Sequence, residues 1–263
     1  MIQARELREK LQGPRRHVDT FYGKHVMRRL SIYITACLYP LQVSPYWVNL
    51  SSILVGIAGA WALSSGRWFL GILLVNGWYL LDHVDGELAR AKNFVRTTGL
   101  FFDTIANAIV PPLALLGLGI GLSRAGERPG WIAVGFWAFY GSLMTLVVTF
   151  CESTVILQRF RQGRLRVPVP DTYGKSDPQT RRDRPFAKTL FSLAHLFTTF
   201  PVFLPVVTLL IFIHRLTGLN SPEVLLGGLL CIYAAAANLI WIAVITRLVI
   251  TEKIDKIYPP THS

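Results

Sequence analysis

Leu81-Asp82-His83-Val84-Asp85-Gly86-Glu87-Leu88-Ala89-Arg90, followed by Gly99, Asp103 and Asn107, decides the fold of this chain. The stretch closes an apolar run that opens at Trp68. Trp68 to Leu81 alone offers fourteen residues, a rise of about 21 Å, against the roughly 30 Å of a bilayer's hydrocarbon. A spanning helix must therefore continue through the acids. It then sets Asp82, Asp85 and Ala89 at i, i+3 and i+7 on one face, with Gly86 and Ala89 leaving room beside the carboxylates. Arg90, one turn beyond Gly86, offers a planar fork suited to phosphate. Each such charge costs roughly 2.5 to 3.5 kcal/mol in a membrane helix, so a cluster of them implies a bound ligand.

Outward from this stretch the chain is a series of similar runs. Its 263 residues are 52% hydrophobic, with a mean hydropathy of +0.42, which excludes an ordinary soluble domain. Six runs approach spanning length: 46–65, 68–91, 99–122, 131–157, 190–216 and 224–250. The expected fold is an all-α integral membrane bundle of six transmembrane helices with an N-terminal amphipathic, interfacial helix. The net charge of +12 does not point to nucleic acid, because the basic residues follow the gaps between runs. With the N-terminus inside, 23 of the 27 Lys and Arg fall on one side, and only Arg67, Arg124, Arg128 and Arg215 on the other. The positive-inside rule then puts both termini and the acidic stretch at the cytoplasmic face of a multi-pass protein, in the style of a bacterial inner membrane.

The domain reading follows. Residues 1–45 form a cytoplasmic, interfacial segment, 46–250 the six-helix domain with a basic cytoplasmic loop at 158–188, and 251–263 a cytoplasmic tail. The first 28 residues are charged and hold no apolar core, so no cleavable signal peptide is expected. Arg5, Arg8, Lys10, Arg15 and Arg16, with Leu7, Leu11 and Val18 between them, suit either a helix on anionic lipid or a basic tail. The run from Met27 to Leu41 is too short to span and reads as an interfacial helix. Cys37, Cys151 and Cys231 lack metal-binding spacing and are expected to be buried small hydrophobes. Gly117, Gly119 and Gly121 lie in a span with no strand before them, which indicates close helix packing rather than a nucleotide loop.

The third run opens with Gly99, Asp103 and Asn107, and a short turn after Arg90 lets Asp103 face Asp82 and Asp85. Three carboxylates gathered in a membrane need a compensating cation. Oxygen-only ligands favour Mg²⁺ or Mn²⁺, one or two ions, and a divalent ion beside an arginine suits a pyrophosphate.

The pattern Asp82-x2-Asp85-Gly86-x2-Ala89-Arg90-x8-Gly99-x3-Asp103-x3-Asn107 resembles the signature of the CDP-alcohol phosphotransferases, D-x2-D-G-x2-A-R-x8-G-x3-D-x3-D, at every position but the last. The layout is also similar: six spans, an amphipathic N-terminal segment and a motif bridging spans two and three. The turn Ser44-Pro45-Tyr46-Trp47-Val48-Asn49 keeps only the Pro and Val of the family's usual form. The resemblance implies transfer of a phosphoalcohol from a CDP-linked lipid donor, CDP-diacylglycerol in the leading reading, to a polar alcohol acceptor with release of CMP. It implies Asp82, Asp85 and Asp103 as metal ligands, and Gly86, Ala89, Arg90 and Gly99 around the CDP group. Catalysis falls to Asp85, Asp103 and the position of Asn107, and the assembly is a homodimer among membrane lipids.

Asn107 departs from the family's fourth Asp, the acceptor's presumed base, and an amide takes no proton near neutral pH. Three readings stay open: another base, His83 or Glu87; a substituted, impaired form; or a relic that binds a CDP-lipid without turnover. A soluble CDP-alcohol donor with a lipid acceptor is a further alternative. Glu152, Arg159 and Lys188 are acceptor-binding candidates at the inner ends of spans four and five, set against a structural pairing and the ordinary topology signal. Asn238 reads as an interhelical hydrogen-bond partner. Intramembrane prenyltransferases would need a second aspartate motif in a span, and a transporter would show repeat symmetry; the sequence has neither.

Overall fold

The computed structural model describes residues 11, 20–93, 97–161, 198–217 and 222–251, and every extended element among them is a helix. A π-helical turn, Gly23–Met27, leads into α1, Arg28–Leu38. Then come α2, Pro45–Ser64; α3, Trp68–Ala91; α4, Thr97–Gly126; α5, Gly130–Arg161; α6, Phe200–Thr217; and α7, Pro222–Thr251.

Local chemistry explains the ends that matter for the site. Ser44 caps α2 by accepting from the Tyr46 N–H, and Pro45 takes the first helical position, where no N–H is needed. The helix stops at Gly66, whose φ of +75° suits a residue without Cβ. There the N–H groups of Gly66 and Arg67 bond back to Leu63 and Ala62, so α3 starts at once beside α2. At its far end α3 closes on Asn93, in the left-handed region, while Lys92 Nζ donates to the Val43 carbonyl at 2.9 Å and ties that end to the entry of α2.

Among the described residues, five helices are long and apolar enough to cross a membrane: α2, α4, α5, α6 and α7. The chain is an integral membrane protein. The expected second span, α3, has the expected bounds and 24 residues, about 36 Å of rise. Asp82, Asp85, Glu87 and Arg90 in its last turns set it apart from the other five. Only 198–216 of the expected fifth span is described; Lys188, the basic loop from 162 onward and the basic N-terminal residues lie outside the described residues.

Helix α2 lies against α3 and α4, α4 against α5, and α5 against α7, while α6 touches α3 and α7. Glycines set the closest approaches. A Cβ on Gly117 would collide with the Ala60 carbonyl and one on Gly121 with that of Leu63, both on α2. One on Gly119 would come 2.5 Å from Gly135 Cα on α5. The Gly-x-Gly-x-Gly run therefore packs against two neighbours at once. Trp78, Ile72, Leu115, Leu204 and Tyr233 centre the core, and Trp61, Phe136 and Leu239 face outward as lipid-contacting surface. The three cysteines also face outward, contrary to the expectation of burial, because each falls on the peripheral side of its helix.

Helix α1 buries Arg28, Ser31, Ile32 and Thr35, a stripe at i, i+3, i+4 and i+7, and exposes Leu30 and Tyr33. The stripe against the protein is mostly polar. Its partner is Glu87 of α3, which is 1% exposed and accepts from Ser31 Oγ and Thr35 Oγ1, each at 2.8 Å.

Candidate active site

The last turns of α3 and the first turns of α4 surround one cavity of about 590 Å³. All eight motif positions line it: Asp82, Asp85, Gly86, Ala89, Arg90, Gly99, Asp103 and Asn107. Pro45, Tyr46 and Asn49 of α2, Arg28 of α1 and Pro201 of α6 complete much of the wall. The two helix ends meet because only five residues separate α3 from α4 in the chain and each helix places its polar residues about one helical turn apart.

Asp82 has Asp85 and Asp103 as charged neighbours, with the Asp103 carboxyl in hydrogen-bond contact. Asp82 Oδ1 is buried and has no hydrogen-bond partner among the described residues. A buried carboxylate oxygen so placed is costly unless something pairs with it. The donors are all hard oxygens, so the residues fit a hard divalent cation. Among the described residues no three His, Cys, Asp or Glu side chains stand together closely enough to hold an ion in their present poses. From α2, Asn49 Nδ2 donates to Asp85 Oδ2.

Arg90 lies back along α3, its Nη1 3.2 Å from where a Gly86 Cβ would stand, and its charge is close to Asp85. A side chain at 86 would displace that fork, whereas Gly99 opens onto empty space that a Cβ would begin to fill. Asn107 is exposed, and its Nδ2 donates to Asp103 O at 2.9 Å and Asp103 Oδ1 at 3.0 Å. An aspartate there could make neither bond while ionised.

The two alternative bases differ. Glu87 faces α1, with both carboxylate oxygens accepting hydroxyls. His83 Nδ1 lies 2.8 Å from the Tyr79 carbonyl, which can only accept. The neutral ring therefore carries its proton on Nδ1 and keeps Nε2 as the acceptor nitrogen. Glu152 is half-buried and Arg159 exposed on α5, and neither is among the residues lining the cavity; Lys188 lies outside the described residues. Asn49 was missed by the sequence reading. Its signal was a lone amide among the apolar residues of the first span.

The sequence profile described as CDP-alcohol phosphatidyltransferase matches residues 42–249, from just before α2 to the end of α7. The chain belongs to the CDP-alcohol phosphatidyltransferase family. Among curated relatives, it is 36% identical over 122 residues to the "Bifunctional IPC transferase and DIPP synthase" of Rubrobacter xylanophilus, covering 46% of this chain and 27% of that protein. It is 29% identical over 178 residues to the protein of the same name from Thermococcus kodakarensis, covering 66% and 38%. The chain thus spans between about a quarter and two fifths of the length of these relatives. Among solved structures it resembles the Mycobacterium tuberculosis phosphatidylinositol phosphate synthase with CDP-DAG bound. That likeness has a TM-score of 0.56 at 16% identity and covers 88% of this chain and 96% of the other, which shows a shared fold. The matched residues include the helices α2, α3 and α4 that carry most of the cavity wall.

Proposed function

We propose that this protein is a phospholipid-synthesis transferase that moves phosphatidyl from CDP-diacylglycerol to the hydroxyl of a polar alcohol. In this reaction the acceptor oxygen bonds to the phosphorus on the diacylglycerol side, the bond from that phosphorus to CMP breaks, and the hydroxyl proton passes to a base. The observation that carries the reading is the meeting of all eight motif positions around one cavity in a chain of this family.

Asp82, Asp85 and Asp103 would hold Mg²⁺ or Mn²⁺, whose chemistry when bound is to offset charge on the pyrophosphate oxygens. Arg90 takes a phosphate through its fork, and Gly86, Ala89 and Gly99 leave space for the cytidine and phosphates. Asp85 and Asp103 also orient the reacting group. With an amide at 107, His83 Nε2 is the better-placed proton acceptor, since Glu87 is engaged by Ser31 and Thr35. The basic-residue distribution supports six spans, α3 included, with α1 at the interface, residues 46–250 as the catalytic domain, and termini and cavity on the cytoplasmic side. By family resemblance the assembly is a homodimer, and Glu152, Arg159 and Lys188 serve the acceptor.

Asn107 favours a second reading, binding of a CDP-lipid without turnover. The test is release of CMP from CDP-diacylglycerol by the purified protein across a panel of alcohols, with Mg²⁺, Mn²⁺ or chelator. Metal-dependent release that Asp85→Ala abolishes supports the transferase. Retained CDP binding without release supports the second reading, and release unaffected by Asp85→Ala refutes this placement of the site.

A further inference from the structure

Asn49 is 5% exposed within a helix that is otherwise largely apolar, and it makes one side-chain hydrogen bond across the bundle, to Asp85. The partner fixes the amide's orientation. A carboxylate accepts and cannot donate, so the NH₂ group faces Asp85 Oδ2 and the amide oxygen faces away. That oxygen, Asn49 Oδ1, is buried without a hydrogen-bond partner among the described residues. A buried acceptor left unsatisfied opposes folding, and an apolar residue of the same shape would avoid the penalty. The amide is therefore not explained by the stability of α2.

The surroundings make the bond rigid. Val48, next to Asn49, packs in a buried cluster with Val84, next to Asp85, and Leu88. Ser52 Oγ donates to the Asn49 carbonyl at 2.7 Å, one turn along. The apolar packing beside the bond and the tied backbone limit rotation of either side chain.

We infer that Asn49 is a positioning residue for the metal site: it occupies Asp85 Oδ2 and so presents Asp85 to a divalent cation through one oxygen only. The inference rests on the proposal that Asp82, Asp85 and Asp103 hold the ion. One-oxygen carboxylate ligation suits Mg²⁺ and Mn²⁺, which take compact octahedral sites, better than Ca²⁺, which accepts two oxygens from one carboxylate. Asn49 thus contributes both to affinity and to the choice among cations, from a helix that carries none of the motif.

The test is binding of Mn²⁺ to the full chain in detergent, read by electron paramagnetic resonance, with Ca²⁺ as competitor and thermal unfolding followed in the same samples. Asn49→Leu keeps the shape and removes the donor; Asn49→Ala replaces it where leucine does not fold. The expected result is Mn²⁺ affinity lower by about 10- to 100-fold, as for other groups that orient metal ligands, with unchanged or higher thermal stability and a smaller preference for Mn²⁺ over Ca²⁺. Wild-type Mn²⁺ affinity in the folded variant, while Asp85→Ala has lost it, overturns the inference alone. Equal weakening toward Mn²⁺ and Ca²⁺ overturns the one-oxygen role. If the unaltered chain binds no Mn²⁺, or Asp85→Ala binds it as well, the metal site falls and this inference with it.

Discussion

Replacing Ser31 with Ala and Thr35 with Val together should release α1 from α3. Both hydroxyls donate to Glu87, at 2.8 Å each, and all three residues are at most 1% exposed. A hydrogen bond to a charged group contributes about 1.5 to 3 kcal/mol, so losing the pair removes about 3 kcal/mol at the low end. Valine matches threonine in shape, and the alanine cavity is small, so the loss is chiefly polar. At about 1.4 kcal/mol per tenfold, the opening equilibrium of α1 should rise by about 100-fold or more. Amide hydrogen exchange in detergent reads this directly: α1 should exchange faster by that factor, with α4 and α5 unchanged. Thr35→Ser on its own keeps a hydroxyl and should keep most of the protection. Because Arg28 of α1 lines the cavity, the double variant should also weaken binding of a CDP-lipid. Unchanged exchange across α1 in the double variant would refute the reasoning, since it would mean that Glu87 does not depend on these hydroxyls.

Asn107→Asp installs a carboxylate and removes the amide's bonds to Asp103; if position 107 takes the acceptor proton, CMP release should rise by about 100-fold or more, and an unchanged rate would leave the proton with another group. Gly117→Ala should lower thermal stability in detergent, because its Cβ meets the Ala60 carbonyl and overpacking costs about 1 to 3 kcal/mol; Gly228→Ala, in open space on α7, should be neutral or stabilising by up to about 1 kcal/mol. Asn238→Ala should destabilise by only about 0.6 kcal/mol, the usual scale for hydrogen bonds between membrane helices, although its amide bridges the Trp137 carbonyl and the Trp241 indole; a loss of several kcal/mol would show that this knot organises α5 against α7.

Much of this architecture is legible in the sequence because membrane helices leave few choices. The bounds of α3 follow from Trp68 and Ala91 once the acids are admitted to the helix, and the fixed spacings then carry Asp82, Asp85 and Asp103 to one side. The Gly-x-Gly-x-Gly run is equally readable as packing, though its partners Ala60, Leu63 and Gly135 come from other helices and carry no mark in sequence. What stays hidden depends on contacts between distant segments. The shortness of the run from Met27 to Leu41 suggests an interfacial α1, yet it cannot say that the buried stripe is polar, because the reason is an acid 52 to 56 residues further on. Asn49 is hidden for the same reason, 36 residues from Asp85.

Helix α3 carries acid on both of its sides, and the two sides are satisfied in different ways. Glu87 lies two positions beyond Asp85, about 200° of helical turn, so one carboxylate cannot share the other's partners. Glu87 is met from within the protein, by the hydroxyls of α1, and its role is to fix that helix over the cavity. Asp82 is not met in that way: one of its oxygens stays buried with no hydrogen-bond partner among the described residues, beside two further carboxyls. Partner chemistry, not the number of acids, separates these two carboxylates. The same contrast extends to Asn49, whose single amide bond holds Asp85 without neutralising it and so leaves charge for the cation proposed above.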